Sequence, residues 1–377
     1  MTRAGPEVLG PKALNRALLA RQLLLRRVRR PVADVLTHLV GMQAQAPDAP
    51  YYGLWSRLDG FRPAELVELL TGRRAVRATM MRGTLHAVTS ADCLALRMLA
   101  QPTQERAVRT NTDYDGHRIA GRELCEVLAV TAELLAEAPR TAAELRARYA
   151  ARWPGCAADR LGFAALALTP TVQVPPRGIW AVGGLPRLST VAAWLGEPVC
   201  PSPDPAALVL RYLAAFGPAT VSDVATWSGR TAVRPVLDEL RPGLRVFADE
   251  QGRELFDLPD APRPPAATPA PVRLLAPYDN VLLAHADRSR VVPEQYRVRL
   301  RSRNGIVPGT VLVDGFVRGL WAVDRPHGQR RGGSAVLTVR PFRALAARHG
   351  AQLRGEVERL AELAAQGSPV RVVLAEP

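Results

Sequence analysis

The chain has 377 residues, nearly half of them apolar, and a formal net charge of +15 at pH 7. Its length allows two to four domains, and the charge implies a polyanionic partner, most often nucleic acid. No apolar stretch of about 18 residues predicts a membrane span, Met1–Pro6 lacks a signal-peptide core, and Cys93, Cys125, Cys156 and Cys200 lie too far apart for a zinc knuckle or redox pair.

Read in order, the chain repeats a theme of helices followed by two short strands. Leu14 to Leu24 is apolar at helical spacing, and Pro31 opens a second helix running to about Val40. Tyr51 to Leu58 and Pro63 to Leu70 read as helices, and Ala75 to Met80 and Thr84 to Val88 as strands joined by Met81-Arg82-Gly83. Arg122 to Ala136 is amphipathic, Thr141 and Glu144 form a capping box, and Leu161 to Leu168 is a third helix. Thr171 to Val174 and Gly178 to Val182 are its expected wing. Pro205 to Phe216, Thr220 to Ser228 and Thr231 to Leu240 repeat the three helices, with Leu244 to Ala248 and Arg253 to Leu258 as the next wing.

Pro259 to Pro271 is a proline-rich linker, extended and semi-rigid. Strands follow at Val272 to Leu275, Thr310 to Val313, Gly315 to Asp324 and Ser334 to Val339, then a helix over Pro341 to Ala365 and a strand over Val370 to Leu374. The predicted class is α+β: tandem winged helix-turn-helix domains with a C-terminal β-rich, barrel-like domain. The expected bounds are 1–120, 121–200 and 201–258 for three winged units, 259–271 for the linker and 272–377 for the β-rich domain.

The chemistry centres on Gln43-Ala44-Gln45, before Pro47 and Pro50. Pro47 disfavours a helical Ala46, so the preceding helix should end near Gly41 to Gln45. In an extended segment the two carboxamides face one side and can hold one small target such as a water. Carboxamides donate and accept hydrogen bonds but are not bases at neutral pH. The plainer reading is helix capping and loop hydrogen bonding. The histidines show no metal-ligand spacing, no phosphate-binding glycine loop is present, and no metal or cofactor is expected. Lys12, the only lysine, is far from the motif in sequence, which disfavours Schiff-base chemistry.

Basic segments supply candidate contacts. Arg288 and Arg290 lie in a polar run beginning at His285, and Arg330 and Arg331 in a glycine-rich hairpin tip suited to a phosphate backbone or minor groove. Arg297, Arg299, Arg301 and Arg303 alternate, which in an extended segment puts them on one face.

Gln43-Ala44-Gln45 together with Tyr51 to Leu58, Arg82-Gly83-Thr84-Leu85-His86 and Pro277-Tyr278-Asp279-Asn280-Val281-Leu282-Leu283 resembles the AlkZ/YcaQ family of bacterial winged-helix DNA glycosylases. Glutamine at the second motif position resembles the AlkZ-like branch. The resemblance implies that Gln43 and Gln45 are catalytic, positioning a water for monofunctional hydrolysis of N7-alkylguanine. It also implies an open scaffold that tolerates bulky natural-product adducts or interstrand crosslinks, as in antibiotic self-resistance. Expected DNA contacts are Arg82, Thr84, His86, Arg288, Arg290, Arg330 and Arg331. The expected partner is double-stranded DNA carrying alkylated guanine, engaged by a cytoplasmic, nucleoid-associated monomer without a membrane. A winged-helix transcription regulator is the alternative.

Overall fold

The computed structural model describes residues 6–110, 122–155, 157–300, 305–325, 335–365 and 369–376. A short strand, β1 (Val8–Leu9), leads into α1 (Pro11–Arg21) and α2 (Val32–His38). Then come β2 (Met42–Gln43), α3 (Ala49–Arg57), α4 (Pro63–Thr71), β3 (Ala75–Thr79) and β4 (Leu85–Thr89). Helices α5 (Ser90–Leu96) and α6 (Gln101–Thr110) precede α7 (Arg122–Glu137), α8 (Ala142–Arg152) and α9 (Ala158–Leu168). Strands β5 (Thr171–Val174) and β6 (Arg187–Thr190) and the short α10 (Val191–Leu195) follow. The next unit is α11 (Pro205–Phe216), α12 (Val221–Ser228), α13 (Arg234–Leu240), β7 (Arg245–Asp249) and β8 (Glu254–Asp257). The last part holds β9 (Arg273–Leu275), β10 (Gly309–Val313), β11 (Phe316–Asp324), β12 (Ala335–Pro341), α14 (Ala347–Ala365) and β13 (Val370–Leu374). No helix among the described residues is long and apolar enough to cross a membrane.

Local chemistry explains the most sharply bounded helices. Asp204 accepts from the amides of Ala206 and Ala207, Pro205 fills the first turn and Gly217 follows the last residue of α11. Thr141 with Glu144, and Thr220 with Asp223, form reciprocal capping boxes on α8 and α12. Two units therefore run as three helices followed by an antiparallel strand pair.

The pairing joins these units. Strands run in the order β2-β4-β3-β5-β6, so one sheet crosses the boundary expected at 120/121. Strand β5 pairs with β6 rather than with Gly178 to Val182. Gly178 and Ala181 have φ of 92° and 60°, outside strand geometry, so that segment is a loop. Strand β1 runs parallel to β7 and completes a second sheet with β8.

The C-terminal sheet has the order β13-β12-β11-β10-β9 and is open. The barrel-like expectation is corrected: β9 and β13 are its two edges and do not pair with each other. Strands β12 and β13 are parallel, which requires a crossover, and α14 supplies it. That helix starts at Ala347 rather than Pro341 because β12 continues to Pro341, opposite Gly319. Its Leu353, Val357 and Leu360 share one core with Trp321 and Val339 of the sheet and with Tyr51, Leu54 and Trp55 of α3.

The segment Pro259–Pro271 has no helix or strand, as its prolines require. It is strapped to α1: Arg21 Nε donates to Pro262 O at 3.3 Å and Arg16 Nε to Thr268 O at 2.6 Å.

Candidate functional site

The glutamine motif lies where α2 gives way to β2. Helix α2 ends at His38, earlier than predicted, because Val40 and Gly41 take left-handed φ of 55° and 85°. A Cβ on Gly41 would sit 2.4 Å from Val88 Cγ1, so only glycine fits this turn. The turn sends Met42 and Gln43 into register with Ala87 and His86 of β4. The extended run ends at Ala44, whose amide donates to Leu85 O at 2.7 Å, and the chain bends at Gln45.

The segment Pro277–Leu283 holds the start of this loop and the far end of the helix that follows it. Asn280 Nδ2 donates to Gly41 O at 2.9 Å. Asp279 accepts two bonds of 2.8 Å from Arg57 at the end of α3, with both side chains fully buried. Between these anchors, Arg77 Nη2 of β3 donates to Ala44 O at 2.8 Å.

Gln43 and Gln45 differ in environment. Gln43 is 7% exposed, and its Oε1 accepts from Arg82 Nη2 at 2.8 Å. A guanidinium only donates, so the amide is oriented with oxygen toward Arg82 and its NH2 group directed elsewhere. Gln45 is exposed, and its side chain makes no hydrogen bond among the described residues. The pair thus consists of one locked amide and one free amide, separated by a residue pinned at both its N–H and its C=O.

Arg82 sits in the 3₁₀ turn Met81–Gly83 at φ 58°, and its Nη1 donates to Trp227 O at 3.2 Å. Burial, followed by the like charge of Arg288, lowers its pKa to about 10, so it stays charged at neutral pH. Arg288 is exposed. Burial and then Arg297 also lower its pKa. It borders an open cavity of about 490 Å³ lined by Leu282, Leu283, Val292, Ile306 and Val307. Thr84 is half-buried, and its hydroxyl donates to Met81 O at 3.1 Å.

Two residues expected to contact DNA lie in the interior of the free protein. His86 is fully buried, with Nδ1 2.9 Å from Thr84 O. Arg290 is 5% exposed, donates to Pro218 O at 2.9 Å and pairs with Asp223 at 3.6 Å. It braces the fold and is not free for phosphate. Arg330 and Arg331 lie outside the described residues, as do Arg301 and Arg303. Arg297 and Arg299 lie at and within 3₁₀ turns rather than an extended strand, and Arg297 pairs with Glu294 and Asp287.

Sequence reading missed a second group beside the motif. Asp48 immediately precedes α3, and burial raises its pKa against the opposing charges of Arg325, Arg177 and Arg77. Arg77 is 3% exposed, and its Nε and Nη1 have no partner. Its only legible signal was a charge inside the otherwise uncharged strand Ala75-Val76-Arg77-Ala78-Thr79. Among the described residues no group of three or more His, Cys, Asp or Glu is placed to hold a metal ion.

Burial, then Arg82, lowers the pKa of His86 from 6.5 to about 3, and burial with Arg290 lowers that of His285. The fold accepts these imidazoles neutral, whereas the unfolded chain protonates them near 6.5. The unfolded state therefore binds more protons below that value, and stability, complete above it, falls as pH drops toward 3. The thermal midpoint should decline between about pH 7 and about pH 5, and His86→Asn should make the decline shallower. A midpoint that rises on acidification would contradict this reading.

A family model described as DNA glycosylase AlkZ-like matches residues 36–363. Among solved structures, the Streptomyces sahachiroi DNA glycosylase AlkZ is similar in fold, with a TM-score of 0.77 and 20% identity over 97% of this chain and 100% of that one. No curated protein matches.

Proposed function

From a chain that belongs to the AlkZ-like DNA glycosylase family, and is therefore a DNA glycosylase that hydrolyses N-glycosyl bonds, we propose a monofunctional enzyme that releases N7-alkylguanine from duplex DNA. The observation that carries this reading is the locked Gln43 amide beside the free Gln45 amide. In the proposed reaction Gln45 Oε1 accepts a hydrogen bond from a water, and the Gln43 NH2 group donates to that water's oxygen or to the sugar. The water attacks C1′ and the bond from C1′ to the purine breaks. The bonding electrons neutralise the cationic base, and the water's surplus proton goes to solvent. Neutral amides orient a nucleophile without deprotonating it, which suffices for a leaving group that already carries positive charge.

Arg82 and Arg288 form no ion pair among the described residues, and each depresses or is depressed by a neighbouring guanidinium. Two adjacent, carboxylate-free guanidiniums suit a backbone phosphate next to the lesion. We assign the contact to these two residues, with Thr84 beside them and Arg330 and Arg331 as further contacts. Arg177 and Arg325, both half-buried near Asp48, suit a second phosphate.

Purine N7 opens on the major groove. A protein approaching C1′ from the other side need not displace a bulky N7 substituent, so large natural-product adducts and interstrand crosslinks are proposed substrates, consistent with a self-resistance role. We read α7–α9 with β5–β6, and α11–α13 with β7–β8, as winged helices whose sheets are shared with strands of residues 1–120, and propose a monomer acting on nucleoid DNA in the cytoplasm.

The test is incubation of N7-methylated duplex with the protein in a metal chelator, followed by alkali. Strand cleavage at guanines is expected, together with no strong consensus in selection from random undamaged DNA. A palindromic site bound at nanomolar affinity without base release would favour a transcription regulator, a reading the family membership does not support.

A further inference from the structure

The loop between β5 and β6 carries an apolar surface that the fold leaves uncovered. Ala181-Val182-Gly183-Gly184-Leu185-Pro186 is exposed throughout. Leu185, at 74%, is the most exposed large hydrophobic side chain among the described residues. No charge occurs from Gly178 to Pro186, in a chain of net +15. Consecutive exposed apolar residues promote association and contribute nothing to folding, so their presence asks for a use.

The base of this loop is fixed against the glutamine motif. Tyr51 Oη donates to Gly178 O at 2.8 Å, and Trp180 contacts the rings of Tyr51 and Tyr52 at centroid distances of 4.8 and 5.4 Å. A Cβ on Gly178 would lie 2.4 Å from Arg77 Cδ, and Arg77 is the residue that grips Ala44 O. The return of the loop is also tied down: Arg177 Nη1 donates to Gly184 O at 3.1 Å, which holds the residue before Leu185 at the loop's base. A fixed loop base packed on Tyr51 and Arg77, exposed apolar side chains and an adjoining guanidinium are thus assembled on one loop whose base adjoins the glutamine motif.

We propose that Val182 and Leu185 form a wedge that enters the base stack next to the lesion, with Arg177 on the flanking phosphate. Proteins that insert apolar side chains between base steps lose stacking energy and gain a bent duplex that follows their surface. A damaged base is the least costly to unstack. The wedge would open the sugar of the modified nucleotide to the two amides without capturing the base. This inference rests on the assignment of Gln43 and Gln45 as the reaction site.

The test uses a duplex carrying 2′-fluoro N7-methyldeoxyguanosine, which resists hydrolysis, with 2-aminopurine as its neighbour. Wild-type protein should raise the 2-aminopurine fluorescence on binding. Leu185→Ala should lose at least about half of that rise and slow excision from ordinary N7-methylated duplex about 10-fold, the loss expected when one leucine is no longer buried. Its thermal midpoint and the salt dependence of its binding should not change, because the side chain is exposed and uncharged. Leu185→Phe should retain the fluorescence rise. No rise with wild type, or an equal rise and equal excision with Leu185→Ala, would overturn the wedge. So would a wild-type dimer that Leu185→Ala disperses while both DNA signals stay intact. If instead Gln43→Ala and Gln45→Ala excise normally while Leu185→Ala loses the fluorescence rise, the reaction site fails and the wedge stands.

Discussion

Gln45→Ala should slow single-turnover base release about 10-fold or more, the effect of losing one positioning hydrogen bond of about 1.5 kcal/mol in the transition state. Its affinity for adducted DNA and its thermal midpoint should barely change, because the side chain is exposed and unpartnered in the free protein. Gln43→Ala should behave differently. It removes the acceptor of Arg82 from a position that is 7% exposed, so the same loss of rate should come with about 1–3 kcal/mol of lost stability. Equal stability loss in the two variants would contradict the division between a locked and a free amide.

The largest stability effect is expected at Asp279→Ala. Arg57 would remain fully buried without its carboxylate partner, and its Nε already lacks a hydrogen bond. Breaking such a pair costs about 3–5 kcal/mol, a large share of the roughly 5–15 kcal/mol that holds a typical domain folded. Urea denaturation should show the midpoint falling accordingly. Arg57→Met combined with Asp279→Leu should recover much of the loss, since apolar replacement of both partners removes the stranded charge. The double variant should nevertheless excise slowly if α3 and Asn280 no longer hold the glutamine loop in place.

These two results bear on what the sequence could reveal. Helix α11 was legible to the residue, because Asp204, Pro205 and Gly217 mark both ends. The capping threonines marked the starts of α8 and α12. Gly178 to Val182 is a short apolar run that reads as a strand, but its left-handed backbone at Gly178 and Ala181 depends on packing against Tyr51 and Arg77, which no local pattern encodes. The open C-terminal sheet was obscured because strand spacing does not say whether the first and last strands meet.

Charge was informative as a sum and misleading residue by residue. Arg21 pairs with Asp257, Arg57 with Asp279 and Arg27 with Glu356, all inside the fold. For Arg21 and Arg57, arginine at core spacing in a helix is the only hint that they are braces; Arg27 lies outside the helices and carries no such hint. Arg288 and Arg290 look equivalent in sequence, yet one is exposed and the other holds Pro218 and Asp223. The glutamine motif was legible as a pair. Its asymmetry was not, because it depends on Arg82 reaching back from the turn between β3 and β4.

The most direct measurement compares wild type with the Gln43→Ala, Gln45→Ala double variant on one N7-methylated duplex, under single-turnover conditions with chelator, by quantifying free base. Wild type should release N7-methylguanine and leave an abasic strand, while the double variant binds the same duplex and releases the base at least about 10-fold more slowly. Release at the wild-type rate by a folded double variant would contradict it and make Gln43-Ala44-Gln45 a structural loop.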